Sequence, residues 1–163
     1  MSRENFSMGA CENLIKILFV CHGNICRSPM AEFIMKYLVK ESGNEEKFFI
    51  ASAATTNDEI GNDIYPNARA ELKKNSIPFE RRQARKINRS EYSKWDYIIG
   101  MDNENIDDIL YIMGGDPENK IKLLLSFTGK NKEVSDPWYT RNFVLAYSDI
   151  YEGCEALLER LES

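Results

Sequence analysis

Val20-Cys21-His22-Gly23-Asn24-Ile25-Cys26-Arg27-Ser28-Pro29 is the stretch from which the rest of the chain can be read. Mostly apolar residues, Leu14 to Val20, lead into it, and a helix-like pattern, Met30 to Lys40, leads out. Five residues separate Cys21 from Arg27, and a hydroxyl residue follows at once. That spacing suits a loop whose backbone N–H groups, a helix N-terminus and one guanidinium converge on a tetrahedral dianion, with a thiolate beneath it. A helix start leaves donors unpaired and attracts anions. Pro29 fits a first helical turn, where its missing N–H is not needed. Ser28 can cap that helix or donate to a thiolate. Gly23 and Asn24 are suited to left-handed backbone angles that point successive N–H groups inward. Arg27 offers a planar fork for two phosphate oxygens. Cys21 ends a strand, where open parallel sheets bind ligands, and the donors that hold phosphate also stabilise S⁻. A buried core thiol beside a surface charge is the plainer alternative. It leaves unexplained why thiol, glycine, arginine and a Ser-Pro helix start all fall where one anion site needs them.

The chain has 163 residues, 43% apolar and 29% charged, which suits one domain with a sizeable core. A net charge of −5 argues against nucleic acid as the main partner. No apolar run reaches the ~18 residues of a membrane span. The polar segment Met1 to Asn13 lacks the apolar core of a signal peptide and is expected to be a flexible extension ahead of a single domain over 14–163. A cytoplasmic protein is expected. Four cysteines form no secreted framework and no Cys/His set has zinc spacing, so no metal is expected. Cys11 in the leader is read as incidental.

Leu14 to Val20 reads as a strand covered on both faces. Met30, Phe33, Ile34, Tyr37 and Leu38 follow at helical spacing, and Glu41-Ser42-Gly43 ends that helix. Phe48 to Ala53 is the second strand, Ala54 to Ile64 a polar loop long enough to border a site, and Pro66 to Asn75 a short helix. Glu80 to Ile87 has no clear period. Asn88 to Lys94 reads as a helical turn capped by Asn88. Tyr97 to Met101 is the third strand. A helix through Ile106, Ile109, Leu110 and Met113 stops at Gly114-Gly115. Ile121 to Phe127 is the fourth strand and Thr128 to Thr140 a loop. A last helix, Phe143 to Leu161, carries Phe143, Tyr147, Ile150, Cys154, Leu157 and Leu161 on one stripe, with Cys154 as a core thiol. Alternating strands and helices imply an α/β fold: a parallel sheet with helices on both faces.

Cys21-His22-Gly23-Asn24-Ile25-Cys26-Arg27-Ser28-Pro29 resembles the phosphate loop of the low-molecular-weight protein tyrosine phosphatases. Asp136-Pro137-Trp138-Tyr139 resembles that family's general-acid loop, and the likeness runs from about Ile15 to the final helix. The resemblance implies a three-layer, four-stranded sheet in 2-1-3-4 order with the phosphate-binding loop after the first strand. It implies hydrolysis of phosphotyrosine through a phosphocysteine, with no cofactor. Cys21 would attack phosphorus, and Arg27 with the N–H groups from about His22 to Arg27 would hold the equatorial oxygens. Asp136 would protonate the leaving oxygen and then activate water, with Pro137 biasing it toward an extended conformation. An Asp-Pro pair alone is an ordinary turn starter.

Trp138 and Tyr139 match the family's pocket walls, although aromatic residues are more often core. Asp58 stands where family members usually carry an aromatic residue, which bears on substrate preference and rate. Asn24, Ser28 and Ser52 resemble positions that hydrogen-bond one another and hold the loop. A histidine usually stands where this chain has Arg82, two residues before Ala84-Arg85; arginine donates but does not accept, so that part must differ. Asp102 matches a family Met-Asp pair and is equally a helix cap. His22, where the family has an apolar residue, is read as a rim residue rather than a base. In the family a second loop cysteine can form a disulfide with the nucleophile, which here would be Cys26; a passive thiol is the alternative. Arg81, Arg82, Arg85, Lys86 and Arg89 read as a solvated basic face. Expected partners are phosphotyrosine-containing proteins or small aryl phosphates, with inorganic phosphate as product and no nucleic acid or membrane. The chain is expected to act as a monomer or weak dimer.

Three rival functions share parts of this pattern. Arsenate reductases of the same fold relay a disulfide through a later cysteine pair, and only Cys154 follows Cys26. Phosphoarginine phosphatases typically have threonine where this chain has Ile25. A non-catalytic anion-binding module would be expected to lack Cys21, Arg27 or Asp136, and all three are present.

Overall fold

The computed structural model describes residues 14–162. The expectations for Met1 to Asn13, Cys11 included, lie outside the described residues. Strand β1, Ile15–Cys21, is the spine: Ile17, Leu18, Phe19 and Val20 are fully buried. It pairs in parallel with β2, Phe48–Ala54, on one side and β3, Tyr97–Gly100, on the other. Strand β4, Ile121–Leu123, adds beside β3, giving the expected order β2-β1-β3-β4.

Side chains alternate across a strand, so β1 feeds two cores. Ile17, Phe19 and Cys21 face helices α1 (Arg27–Glu41), α2 (Pro66–Lys74) and α5 (Phe143–Glu162). Leu18 and Val20 face Trp95, Ile98 and helix α3 (Asn103–Met113). The continuous apolar run of β1 is the signature of this double burial. Because β2 and β3 flank β1, the chain leaves the carboxyl end of β1 at the point where the sheet order reverses, and a crevice opens there. Cys21 is the last residue of β1, paired with Ala54.

Two elements differ from the sequence reading. The first helix begins at Arg27, three residues before Met30. Its cap position is Cys26, which makes no side-chain cap bond, and Met30 N–H donates to the Cys26 carbonyl at 3.1 Å. Ser28 therefore sits inside the first turn and is not the cap. The fourth strand ends at Leu123 rather than Phe127, and Leu124–Thr128 is a 3₁₀ turn. Leu124 and Leu125 are adjacent, fully buried and in the same core, which a strand's alternation would forbid.

Glu80 to Ile87 crosses the end of β2 in extended form, with Ala54 N–H donating to the Arg85 carbonyl (2.7 Å) and Ile87 N–H to the Ala54 carbonyl (2.9 Å). Asn88 caps the 3₁₀ turn Arg89–Lys94 as expected. Gly114 ends α3 in a left-handed conformation. Cys154 is fully buried beneath α1, and burial pushes its thiol up. No helix among the described residues is long and apolar enough to cross a membrane.

Helix α5 lies close to the turn after β4 because position 153 has no side chain. A Cβ there would come within 2.6 Å of Leu124 Cγ. Gly153→Ala should therefore destabilise the fold by about 1–3 kcal/mol in urea unfolding, the cost typical of overpacking. Unchanged stability would show that the α5 contact is looser than described.

Candidate active site

The loop from Cys21 to Arg27 wraps around one sulfur. Asn24 N–H reaches Cys21 Sγ at 3.3 Å and Ser28 N–H reaches it at 3.4 Å. Ser28 Oγ lies 3.0 Å from the same sulfur. Asn24 Nδ2 donates to Ser28 Oγ at 2.8 Å, which leaves the hydroxyl hydrogen free to point toward sulfur. The Ala53 carbonyl, 3.4 Å away, is the weaker competitor for it.

Asn24 is fully buried and in the left-handed region, φ 60°. Gly23 is not left-handed, contrary to the sequence reading. Its lack of a side chain serves packing instead: a Cβ would lie 3.2 Å from Glu59 Cγ. Asn24 bonds in four further directions. Its Nδ2 donates to Ser52 Oγ (2.9 Å) as well as Ser28 Oγ. Its Oδ1 accepts from Arg85 N–H (3.3 Å), and its carbonyl accepts from Arg82 Nη2 (2.6 Å). Ser52 Oγ in turn donates to Glu32 Oε1 (2.6 Å), which anchors the network on α1.

Arg27 is 2% exposed. Its Nη1 donates to Asp102 Oδ2 (2.7 Å) and to the Val134 carbonyl (2.9 Å). Both Nη1 hydrogens are thereby engaged, and the Nε–Nη2 edge is the fork left to grip an oxyanion. Nη2 lies 3.4 Å from Asp136 Oδ2. Burial opposes the guanidinium charge, but the Cys21 sulfur, Asp102 and Asp136 outweigh it and raise Arg27 above its ordinary value. Asp102 also caps α3 through Oδ1, which accepts Asn105 N–H at 2.8 Å. Cap and arginine anchor, alternatives in sequence, are two oxygens of one carboxylate.

Asp136 has an extended backbone, φ −79°, ψ 111°, and caps the short helix α4 (Pro137–Thr140) by accepting Trp138 N–H at 3.0 Å. Pro137 supplies the first helical residue without wasting a donor. Asp136, Cys21 and Arg27 line one cleft of about 450 Å³. His22, Gly23, Ile25, Cys26, Asp58, Trp138 and Tyr139 also line it, while Asn24, Ser28 and Ser52 sit behind the loop. Trp138 packs edge-on against Tyr65, which stacks on Phe143. Asp58 is held by His22, with Nε2 to Oδ2 at 2.8 Å, so that part of the lining is polar. Burial, then the Cys21 sulfur and the Asp136 and Glu59 carboxylates, push the Cys26 thiol up to about 12 against the pull of Arg27. Among the described residues no group of three His, Cys, Asp or Glu forms a metal site.

Sequence reasoning missed Glu32, Glu59, Glu104 and Tyr65 around this cleft. It also placed Arg85 on a solvated face, and Arg82 both there and at the network's histidine position. Arg85 instead makes a two-pronged pair with Glu91 (2.9 Å each) while its N–H holds Asn24. The apolar content of 80–87 is too low and too irregular to reveal that this segment turns its polar groups inward.

The family model described as "Low molecular weight phosphotyrosine protein phosphatase" matches residues 16–163. The chain belongs to this family. A low molecular weight protein-tyrosine-phosphatase of Bacillus subtilis, YfkJ, is 38% identical over 91% of this chain and 97% of its own length. Its crystal structure superposes with a TM-score of 0.88, covering 91% of this chain and 95% of that one. The low molecular weight phosphotyrosine protein phosphatase of Gallus gallus is 36% identical over 88% of this chain and 94% of its own. A Drosophila arginine phosphatase structure is also similar, at 31% identity and TM-score 0.84, covering 91% of this chain and 99% of that one. The β2-β1-β3-β4 sheet is thus a family architecture.

Asp102 gives a test of how this member of the family holds its arginine. Asp102→Ala removes a cap and leaves Arg27 short of a partner, and should cost about 2–4 kcal/mol in chemical unfolding. Asp102→Asn keeps a cap and should recover about 1 kcal/mol of that loss. Equal losses for the two variants would separate the cap from the effect.

Proposed function

We propose that this chain is a protein-tyrosine phosphatase that hydrolyses phosphotyrosine through a phosphocysteine at Cys21. The observation that carries the reading is the sulfur at the floor of the cleft, with two backbone N–H groups and a hydroxyl directed at it and a buried guanidinium beside it. A thiolate at this position would be the nucleophile. Family membership points the same way.

Cys21 S⁻ attacks phosphorus in line, forming an S–P bond as the P–O bond to the leaving group breaks. The Arg27 fork and loop N–H groups hold the equatorial oxygens, where transition-state charge is spread. Asp136 gives its proton to the leaving oxygen; a phenol ionises near pH ~10, so an unassisted phenolate leaves poorly. Water then attacks phosphorus, Asp136 takes its proton, and inorganic phosphate departs with Cys21 restored. Trp138 and Tyr139 form an aromatic wall fit for a phenyl ring. Asp58, held by His22, makes the opposite wall polar and should weaken the grip on bare aryl phosphates.

Cys26 lies on the same cleft and is the proposed partner for a reversible disulfide if Cys21 is oxidised to a sulfenic acid: S–S forms and water leaves. Its raised thiol value makes it a slow partner. The described cysteines Cys21, Cys26 and Cys154 are all free, which supports work in a reducing compartment such as the cytoplasm. The Drosophila arginine phosphatase likeness makes phosphoarginine the competing substrate; Ile25 at the cleft favours the aromatic one.

Turnover of a phosphotyrosyl peptide, phosphoarginine and p-nitrophenyl phosphate tests the reading. The peptide should be preferred over phosphoarginine, and Cys21→Ser should abolish turnover. Full activity in the serine variant, or a preference for phosphoarginine, would overturn it. Asp136→Ala should lower kcat by about 10²–10⁴ on phosphotyrosine and by less on the better leaving group p-nitrophenolate. Equal losses on both would remove Asp136 from the acid role.

A further inference from the structure

The cleft that seats the phosphoryl group is acidic beyond its floor. Five carboxylates line it, Asp58, Glu59, Asp102, Glu104 and Asp136, against one guanidinium, Arg27, and one imidazole, His22. Arg27 already faces two of the five, Asp102 at 2.7 Å and Asp136 at 3.4 Å. Asp58 pairs with His22 alone, at 2.8 Å, and an imidazole carries charge only when protonated. Glu59 and Glu104 have no Lys, Arg or His within 4 Å among the described residues. Asp58 and Glu59 follow β2, and Glu104 lies in the first turn of α3, after β3. Carboxylates thus reach the cleft from both strands that flank β1. Among the described residues they do not converge into a metal site.

The cleft is a ligand site independently of these acids. Arg27 is 2% exposed, hydrogen-bonds to the protein through Nη1, and lines the cleft with its Nε–Nη2 edge. A phosphoryl group brings about 1.5–2 negative charges at pH ~7, which that edge and the loop N–H groups meet at contact. Asp58, Glu59 and Glu104 act over the Debye length instead. That is about 8–10 Å at physiological salt, or about two to three residues of extended chain. Their field therefore falls on the residues that flank a phosphotyrosine. Walls of one sign focus such a field and raise the local concentration of the opposite charge. Like charges brought together there suppress a partner.

We propose that Asp58, Glu59 and Glu104 select the substrate by charge: the cleft takes phosphotyrosine from segments in which lysine or arginine flanks it and rejects phosphotyrosine from acidic segments. The inference rests on the phosphotyrosine reading of the same cleft, but it concerns the flanking residues and is also measured by binding alone.

The test uses the full chain and three phosphotyrosyl peptides that differ only in carrying lysine, glutamine or glutamate on both sides of the phosphotyrosine. At low salt kcat/KM should be about tenfold higher for the lysine peptide than for the glutamate peptide, the size expected of two or three exposed charge pairs. The glutamine peptide should fall between them. At about 0.5 M salt the ratio should shrink to about twofold. In Asp58→Asn/Glu104→Gln the low-salt ratio should drop to about threefold or less. Glu155→Gln/Glu159→Gln, on α5 and away from the cleft lining, changes the net charge equally and should keep the wild-type ratio. Binding of the same peptides to the Cys21→Ser protein should follow the same order. Thermal unfolding checks each variant, and if the first double variant does not fold, Asp58→Asn alone and the salt dependence of the wild type make the comparison. Equal kcat/KM for the lysine and glutamate peptides, or an unchanged ratio in the folded Asp58→Asn/Glu104→Gln protein, would overturn the proposal and leave the phosphatase reading standing. An equal fall in the α5 variant would overturn the assignment to these carboxylates. Peptides that bind in the predicted order but are not turned over by the wild type would refute the phosphatase reading and leave the charge selection standing.

Discussion

One sulfur with three donors directed at it is the constraint around which this molecule is built. Asn24 N–H, Ser28 N–H and Ser28 Oγ converge on Cys21 Sγ only while the loop keeps a left-handed turn at Asn24. That turn is held from every side. Ser28 is on α1, Ser52 on β2, and Arg82 and Arg85 come from the segment that crosses the end of β2. The sheet order makes this convergence possible. With β1 between β2 and β3, the loop emerges where neighbouring connections part, and side chains from several elements can close in behind it.

The charges are arranged around the same point. A phosphoryl dianion and a thiolate together bring more negative charge than one guanidinium balances. Arg27 is already committed through Nη1 to Asp102, which fixes the fork's orientation but offsets part of its charge. Backbone dipoles and the start of α1 supply the remainder. Asp136 stands at the mouth, tied by one oxygen to its own helix and facing Arg27 with the other. The carboxylate is thereby held at the cleft rather than swinging in solvent. The pair of His22 and Asp58 makes part of the lining of the same cleft polar.

The fold was legible because its deciding features are local or periodic. The apolar run of β1, the alternation of strands and helices, and Gly114 as a stop signal all read directly. The misses have physical causes. Leu124 and Leu125 are apolar enough to extend a strand, and only tertiary burial of both on one side turns them into a 3₁₀ turn. Gly23 was read for conformational freedom, whereas its role is room for Glu59, a contact 36 residues away that no local pattern encodes. Cys21 and Arg27 were named from their spacing and Asp136 with the help of the family resemblance, and the structure brings them to one cleft. The layer behind them was only half visible. Asn24, Ser28, Ser52 and, by its place in the resemblance, Arg82 could be named, but Glu32 and Arg85 carry charges, and charged residues are solvated by default. Asp102 was left between two roles because sequence does not show that its two oxygens point to different elements.

The central claim is that the groups seating the phosphoryl moiety are the same ones that hold the Cys21 sulfur. The most direct measurement is a crystal structure of the chain soaked with vanadate. The account predicts vanadium bonded to Cys21 Sγ, with its equatorial oxygens on the loop N–H groups and the Nε–Nη2 edge of Arg27, and Asp136 against the apical oxygen. An oxyanion bound elsewhere, or in the cleft but away from that sulfur, would contradict it.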